Sequence, residues 1–365
     1  MSKPRILIMA GGTGGHVIPA LTIARRLQAK GWEVHWLGTK AGLESTLVPK
    51  AMIPIHYIFV KGLRRRGLFA WFMAPLQLWL ALVQSLIIIL KLKPKVVLGG
   101  GGFVSGPGGM AAWLTCRPLV IYEQNAIAGT TNRCLSFFAK RVLEAFPGSF
   151  KANAKTICTG NPVREELLNL APPTERFKDR EGPLRLLIIG GSRGAVALNQ
   201  LCPSALEKMP PDKRPQVWHQ VGASQEAEVQ ETYVKAGLMA RVEPFIEDMA
   251  AAYGWADLVL CRSGALTVSE LAAVGIGSIL VPFPFAVDDH QTYNGRFLEK
   301  EGAAILIAQS TLSAEKLADL LLELSQDRAR LLLMAQQAYT LAKRDALDEV
   351  VTNCEEPLTY AFKRT

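Results

Sequence analysis

The sequence predicts an α/β protein of two doubly wound domains with parallel sheets, and three observations predict it. Short apolar strands alternate with helical segments along the whole chain, as parallel sheets covered by helices on both faces require. A strand running into a glycine turn opens each half: Arg5-Ile-Leu-Ile-Met-Ala10 leads into Gly11-Gly-Thr-Gly-Gly-His16, and Leu184-Arg-Leu-Leu-Ile-Ile189 leads into Gly190-Gly-Ser-Arg-Gly-Ala195. The 365 residues suffice for two cores. Such turns bring backbone N–H groups and a helix N-terminus up to a phosphate. A ligand held between two facing halves is therefore expected.

In the first half, residues 6–10 read as a strand, 19–30 as a helix stopped by Gly31, and 33–38 and 55–60 as strands. From Leu68 to Leu90 there is no charged side chain, and Lys61, Arg64, Arg65 and Arg66 precede it. Length alone allows this stretch to cross a bilayer. A crossing would part the strand at 96–99 from the strand at 6–10, and the sheet could not close. The preferred reading is a helix with one over-hydrophobic face lying on a membrane surface beside the basic cluster. A fully packed core helix and a true span stay open. Strands at 119–123 and 141–145 follow, then a break near Gly160-Asn-Pro-Val-Arg164, where Pro162 fixes the backbone.

Residues 171–183 are polar and proline-rich, as in a linker or surface loop. The second half restarts at 184–189. Strands are expected at 215–220, 240–243, 257–261, 278–282 and 303–307, with a helix at 266–274 stopped by Gly275 and a helical tail over 313–343. The domains are placed at 1–162 and 163–345, with 346–365 returning to the first.

The net charge of +9 makes nucleotide phosphates, pyrophosphates, anionic lipid or nucleic acid plausible partners. None of the six cysteines forms a C-x-x-C pair. They read as reduced, mostly buried thiols of a cytosolic protein. The chain enters its first strand directly, so no signal peptide is expected.

The 11–16 loop lacks the third glycine of G-x-G-x-x-G, and the next strand ends Trp36-Leu-Gly-Thr-Lys40 without a carboxylate for a ribose. Both points count against a nicotinamide cofactor. His16 opens a helix, where the positive end of the dipole disfavours imidazolium and keeps a proton acceptor neutral. A capping or phosphate-binding histidine is the alternative. The run Gly99-Gly-Gly-Gly-Phe-Val-Ser-Gly-Pro-Gly-Gly109 offers close backbone approach to a ligand. Tyr122-Glu-Gln-Asn125 ends a strand at the sheet edge where ligands bind.

In the second half, Ser192 and its neighbouring amides suit a diphosphate, and Arg164 adds charge. Glu270, about one turn into the helix after Arg262-Ser-Gly-Ala265, is placed to accept two ribose hydroxyls. A capping box with Thr267 is its alternative. Residues 282–294 form a polar cluster suited to sugar hydroxyls. Asp288, Asp289 and His290 within it are not read as a metal site, because three ligands in succession rarely converge.

Taken together, Gly-Gly-Thr-Gly-Gly-His16, Gly-Phe-Val-Ser-Gly-Pro-Gly-Gly109, Glu-Gln-Asn125, Gly-Asn-Pro-Val-Arg164, Gly-Gly-Ser192, Ala265-Leu-Thr-Val-Ser-Glu270 and Gln291 with Asn294 resemble the MurG family of peptidoglycan glycosyltransferases over essentially the whole chain. The resemblance implies a GT-B architecture of two Rossmann-like domains whose parallel sheets face an interdomain cleft. It implies inverting transfer of N-acetylglucosamine from UDP-N-acetylglucosamine to the 4-hydroxyl of undecaprenyl-pyrophosphoryl-N-acetylmuramyl-pentapeptide, turning lipid I into lipid II. By the same resemblance Thr13, Gly14 and Gly15 line the donor–acceptor cleft, and His16 matches the candidate base. Asn125, Arg164, Ser192, Ile246, Ala265, Leu266, Thr267, Val268, Ser269, Glu270 and Gln291 would contact the donor, Ile246 at the uracil and Glu270 at the ribose. Tyr122 stands where the family usually carries histidine, and the stretch around Asp289 and His290 departs from the family's wording.

The resemblance implies no cofactor, no metal and no nucleic acid. It implies peripheral attachment to the cytoplasmic face of the bacterial inner membrane, roles in cell-wall synthesis, cell shape and division, and contact with other cell-wall proteins. Two alternatives remain at this level. One is a related enzyme on the same donor loops, such as a UDP-sugar epimerase or a lipid galactosyltransferase. The other is a non-catalytic module that binds nucleotide sugars or membranes.

Overall fold

Residues 3–60, 68–191 and 194–359 are described by the structure, a computed structural model. The chain divides into two compact units, one made of residues up to Pro162 with the segment from Arg344 onward, the other of Val163–Lys343. Each has its own parallel sheet.

The first unit runs β1 (Arg5–Met9), α1 (Gly14–Ala29), β2 (Glu33–Gly38), α2 (Glu44–Lys50), β3 (Ile55–Tyr57), α3 (Leu68–Leu92), β4 (Val96–Gly99), α4 (Ser105–Leu114), β5 (Leu119–Glu123), α5 (Thr130–Leu135), β6 (Arg141–Glu144) and β7 (Thr156–Cys158). Among the described residues the sheet has seven parallel strands in the order β3-β2-β1-β4-β5-β6-β7. Ile6 pairs with Val34 on one side and Val96 on the other. Strand order reverses between β1 and β4, so the loops after these two strands lie side by side. That is where doubly wound sheets bind ligands. The short β7 is a strand that periodicity did not reveal: three half-buried residues, Thr-Ile-Cys, give no alternation to read.

In α3, Ala74, Ala81, Ser85 and Ile89 recur at helical spacing and are buried, and the helix packs on α4. The opposite face carries Phe72, Leu76, Trp79, Leu80, Ile87 and Leu90, with Phe72 80% and Trp79 59% exposed. Only 22% of the apolar window Phe72–Leu92 is buried, so α3 is not a packed core helix. The basic cluster of Lys61, Arg64, Arg65 and Arg66 lies outside the described residues.

The second unit begins with α6 (Glu165–Leu168) and α7 (Pro173–Arg176), then runs β8 (Arg185–Ile189), α8 (Val196–Lys208), β9 (Gln216–Gln220), α9 (Glu226–Lys235), β10 (Ala240–Glu243), α10 (Met249–Trp255), β11 (Leu258–Cys261), α11 (Ala265–Val274), β12 (Gly277–Leu280), α12 (His290–Glu299), β13 (Ala304–Leu306), α13 (Ala314–Ser325) and α14 (Arg328–Thr340). Its described strands are all parallel in the order β10-β9-β8-β11-β12-β13, with the reversal between β8 and β11. The tail expected to be helical is made of two helices, α13 and α14. Asp327 separates them and caps the second through the Arg330 N–H at 2.8 Å. The last helix, α15 (Ala346–Thr359), belongs to the first unit. Val350, Val351 and Cys354 enter that unit's core, and Arg26–Asp348, Lys30–Glu355 and Arg141–Glu356 ion pairs hold the helix there.

Residues 171–183 are not a linker. Arg176 donates to the Val274 and Gly275 carbonyls, and Arg180 to the carbonyls of Gly254, Trp255 and Ala256. Asp257, 1% exposed, accepts from Arg180 at 2.6 Å, Arg328 at 2.6 Å and the Arg185 N–H at 3.0 Å. Arg176 and Arg180 spend their donors on internal carbonyls and one buried carboxylate, while most of the stretch stays exposed, as expected of a surface loop. The cysteines also depart from expectation: Cys202, Cys261 and Cys354 are buried, but Cys116 and Cys134 are exposed and Cys158 is half-buried.

Asp257→Ala would leave the Arg180 guanidinium buried without its counter-charge. Removing one member of such a pair costs about 3 kcal/mol. A fall in the urea midpoint corresponding to that loss of stability is expected, and an unchanged midpoint would show the cluster to be incidental.

Candidate functional site

In the first unit the site grows from the two loops at the β1/β4 reversal. The turn after β1 needs Gly12 at φ +93°, and the turn after β4 needs Gly101 at +95° and Gly102 at +81°. The two turns pack backbone to backbone. A side chain on Gly102 would collide with the Gly11 carbonyl, and one on Gly101 would fall 2.7 Å from His16 Nδ1. Space at Gly108 is taken by Met9 and Leu37. The glycines expected to admit a ligand are thus filled by protein at these three positions.

Glu44, fully buried at the start of α2, anchors the first turn. It accepts from the Gly12 N–H at 2.9 Å, the Thr39 N–H at 2.9 Å and the Thr39 hydroxyl at 2.8 Å. A carboxylate therefore does lie beyond β2, six residues after the strand's Gly38, but its bonds go to the loop rather than to a ribose. No local pattern in the sequence marks it.

Thr13 caps α1 through its carbonyl, which accepts from the His16 and Val17 N–H groups. Thr13 and Gly15 are exposed, Gly14 and His16 half-buried. His16 Nδ1 lies 2.9 Å from Gln124 Oε1. Asn125 donates to Glu123 through both its N–H and its Nδ2, and the Glu123 carboxylate also takes the Gly129 N–H and Asn132 Nδ2. Tyr122 is fully buried. Its hydroxyl donates to Asn161 Oδ1 at 2.6 Å, and burial pushes its ionisation well above the usual tyrosine range. Asn161 in turn donates to the Gln124 carbonyl at 3.1 Å. Tyr122 therefore ties the Glu-Gln-Asn strand end to the Gly-Asn-Pro turn, a structural task.

In the second unit Glu270 lies on α11, whose N-cap is Gly264. The helix starts too early for a Thr267 capping box. Glu270 Oε1 instead accepts from Arg164 at 3.0 Å, and Oε2 from the Tyr253 hydroxyl at 3.2 Å. Burial pushes the Glu270 carboxyl above the usual glutamate range, against the Arg164 charge and the two hydrogen bonds that favour its ionised form. Arg164 sits at the N-cap of α6, so its charge is partly matched by Glu270. Tyr253 was not legible as a site residue, because it reads as one aromatic among the apolar positions of α10.

Of the 265–270 segment, Val268 is fully buried and Ala265 nearly so, while Leu266, Thr267, Ser269 and Glu270 keep some exposure. Ile246 is 1% exposed and donates its N–H to Gln220 Oε1 at 3.2 Å. Gln291, in the first turn of α12, accepts from the Phe283 N–H at 2.9 Å. Ser192 lies outside the described residues. Asp289 bonds the Thr292 hydroxyl and His290 the Val287 carbonyl. Among the described residues no three His, Cys, Asp or Glu side chains form a group suited to a metal.

The direction at Glu270 fixes a sign. A carboxyl raised in the folded state gives stability that is complete below the unfolded value, about 4.3, and is lost as pH rises through the raised value. Glu270→Gln removes that loss. Relative to the parent, the thermal midpoint of the variant is expected to rise as pH increases above about 4. A constant offset would contradict it.

Residues 6–144 match the glycosyltransferase family 28 N-terminal domain, and residues 185–350 match the family's C-terminal domain. A protein of Marinobacter nauticus named UDP-N-acetylglucosamine–N-acetylmuramyl-(pentapeptide) pyrophosphoryl-undecaprenol N-acetylglucosamine transferase is 55% identical over 97% of this chain and 98% of its own. A protein of the same name from Nitrosococcus oceani is 53% identical over 96% and 98%. The crystal structure of Acinetobacter baumannii MurG superposes with a TM-score of 0.87 at 41% identity, covering 97% of this chain and 99% of that one. With both halves matched and likeness running nearly end to end, this chain belongs to glycosyltransferase family 28.

Proposed function

We propose that the chain transfers N-acetylglucosamine from UDP-N-acetylglucosamine to the 4-hydroxyl of a muramyl-pentapeptide carried on undecaprenyl pyrophosphate, with inversion at the anomeric carbon. The observation that carries this is the near-full-length likeness to relatives whose printed names state that transfer. The second unit takes the donor. Glu270, held by Arg164 and Tyr253, accepts from the ribose hydroxyls, and Ile246 meets the uracil. Amides at the start of α11 and beside Ser192 stabilise the charge that grows on the departing diphosphate. Leu266, Thr267, Ser269 and Gln291 complete this unit's donor contacts.

The first unit takes the acceptor along Thr13, Gly14 and Gly15. His16 removes the proton of the hydroxyl as its oxygen attacks the anomeric carbon. The C–O bond to the donor phosphate breaks in the same step, through an oxocarbenium-like transition state. The acceptor's lipid stays in the bilayer. The apolar face of α3 supports peripheral attachment there, on the cytoplasmic leaflet where nucleotide sugars are available.

Transfer of labelled N-acetylglucosamine to a short-chain analogue of the muramyl-pentapeptide lipid tests the reading, and donor turnover without such a product would reject it. His16→Ala is expected to lower kcat by about 100-fold or more while UDP binding by calorimetry persists. Membrane attachment has its own check. Replacing Phe72 and Trp79 together with serine should weaken binding to anionic vesicles by at least about tenfold, since each removes a large apolar side chain. Unchanged binding would exclude this face.

A further inference from the structure

We infer that Gln124 is a positioning residue that fixes the tautomer of His16 and so leaves Nε2 free to take a proton. The inference rests on His16 acting as the base and adds the group that prepares it. Gln124 follows β5 and is fully buried. Its Nε2 donates to the Gly100 carbonyl at 2.9 Å. That bond identifies the two ends of the amide, because only the NH2 end can donate to a carbonyl. Oε1 therefore faces His16 Nδ1 at 2.9 Å. A carboxamide oxygen only accepts, so Nδ1 carries the hydrogen and Nε2 the lone pair.

The second glycine loop holds this arrangement from two sides. Gly100 offers the carbonyl that orients the amide. Gly101, at φ +95°, leaves room for the ring, since any side chain there would fall 2.7 Å from Nδ1. His16, Gln124 and these glycines come from three loops of one sheet edge, so the tautomer is set within the first unit.

During transfer the acceptor oxygen bonds to the anomeric carbon and its proton passes to His16 Nε2. The electron pair of the breaking bond leaves on the donor phosphate. The resulting imidazolium keeps its Nδ1–H on Gln124, so the ring need not turn. Without that acceptor the proton spreads over both nitrogens, and a molecule protonated at Nε2 cannot act.

Nitrogen-15 NMR of the histidine-labelled protein reads the tautomer directly. The chain has five histidines, and His16→Asn identifies the signal. Neutral His16 is expected as Nδ1–H, and Nε2–H in the parent would overturn the inference. Gln124→Met removes the acceptor at similar length. It should shift His16 toward Nε2–H and lower kcat by about tenfold, with KM for UDP-N-acetylglucosamine changed by less than about twofold. Gln124→Glu restores an acceptor and adds a charge that favours imidazolium. It should recover activity relative to Met and move the acidic limb of the kcat/KM profile to higher pH. If His16→Asn is inactive but both Gln124 variants keep the parental tautomer and pH profile, the inference alone fails. Full activity in His16→Asn would overturn the reading of His16 as base, and the inference with it.

Discussion

The backbone contact between two glycine turns is the constraint on which the first unit's site depends. At the β1/β4 reversal the Gly11 carbonyl occupies the place where a residue at 102 would carry its side chain. No other residue type permits that approach at positive φ. The contact sets the distance between the first turn and the second, and so the distance from His16 to the groups beyond β4 and β5. Glu44 then fixes the orientation of the first turn by taking the Gly12 N–H. A buried carboxylate is stable only when its acceptor sites are used, and the three donors it receives use them.

The same economy appears at other loops. Glu123 gathers the donors around Asn125, Glu144 takes the Gly148 and Phe150 N–H groups, and Asp257 gathers two arginines and a backbone N–H. Each lies at or beside a strand end, where the ladder stops and backbone groups lose their partners. Carboxylates finish the hydrogen bonding there, and the loops gain fixed shapes without regular structure. Glu270 differs. Its bonds come from one guanidinium and one hydroxyl, its carboxyl is raised by burial, and it keeps partial exposure on α11. That combination separates Glu270 from the carboxylates that close the loops.

Helix α3 divides its surface in a comparable way. Small residues at helical spacing let it lie close on α4, while large apolar side chains are left outside. A helix selected only for packing would carry polar residues on that outer face. The attachment to a lipid surface proposed above would account for that outer face, and for a length and hydropathy that alone resemble those of a membrane span.

The sequence by itself determined the alternation of strands and helices, both glycine openings, the parallel class of both sheets and the family motifs, because periodicity and glycine placement are local properties. It marked His16 and Glu270 for the same reason: each stands at a fixed offset from a strand–turn–helix boundary. Tertiary structure decided what those residues touch. Gln124 meets His16 across 108 positions and Arg164 meets Glu270 across 106. Arg176 and Arg180, in a stretch polar enough to read as a linker or surface loop, turn inward because carbonyls at the ends of two distant helices need donors. Hydrogen-bond satisfaction and close packing are requirements of the folded chain as a whole, and no window of sequence contains both partners.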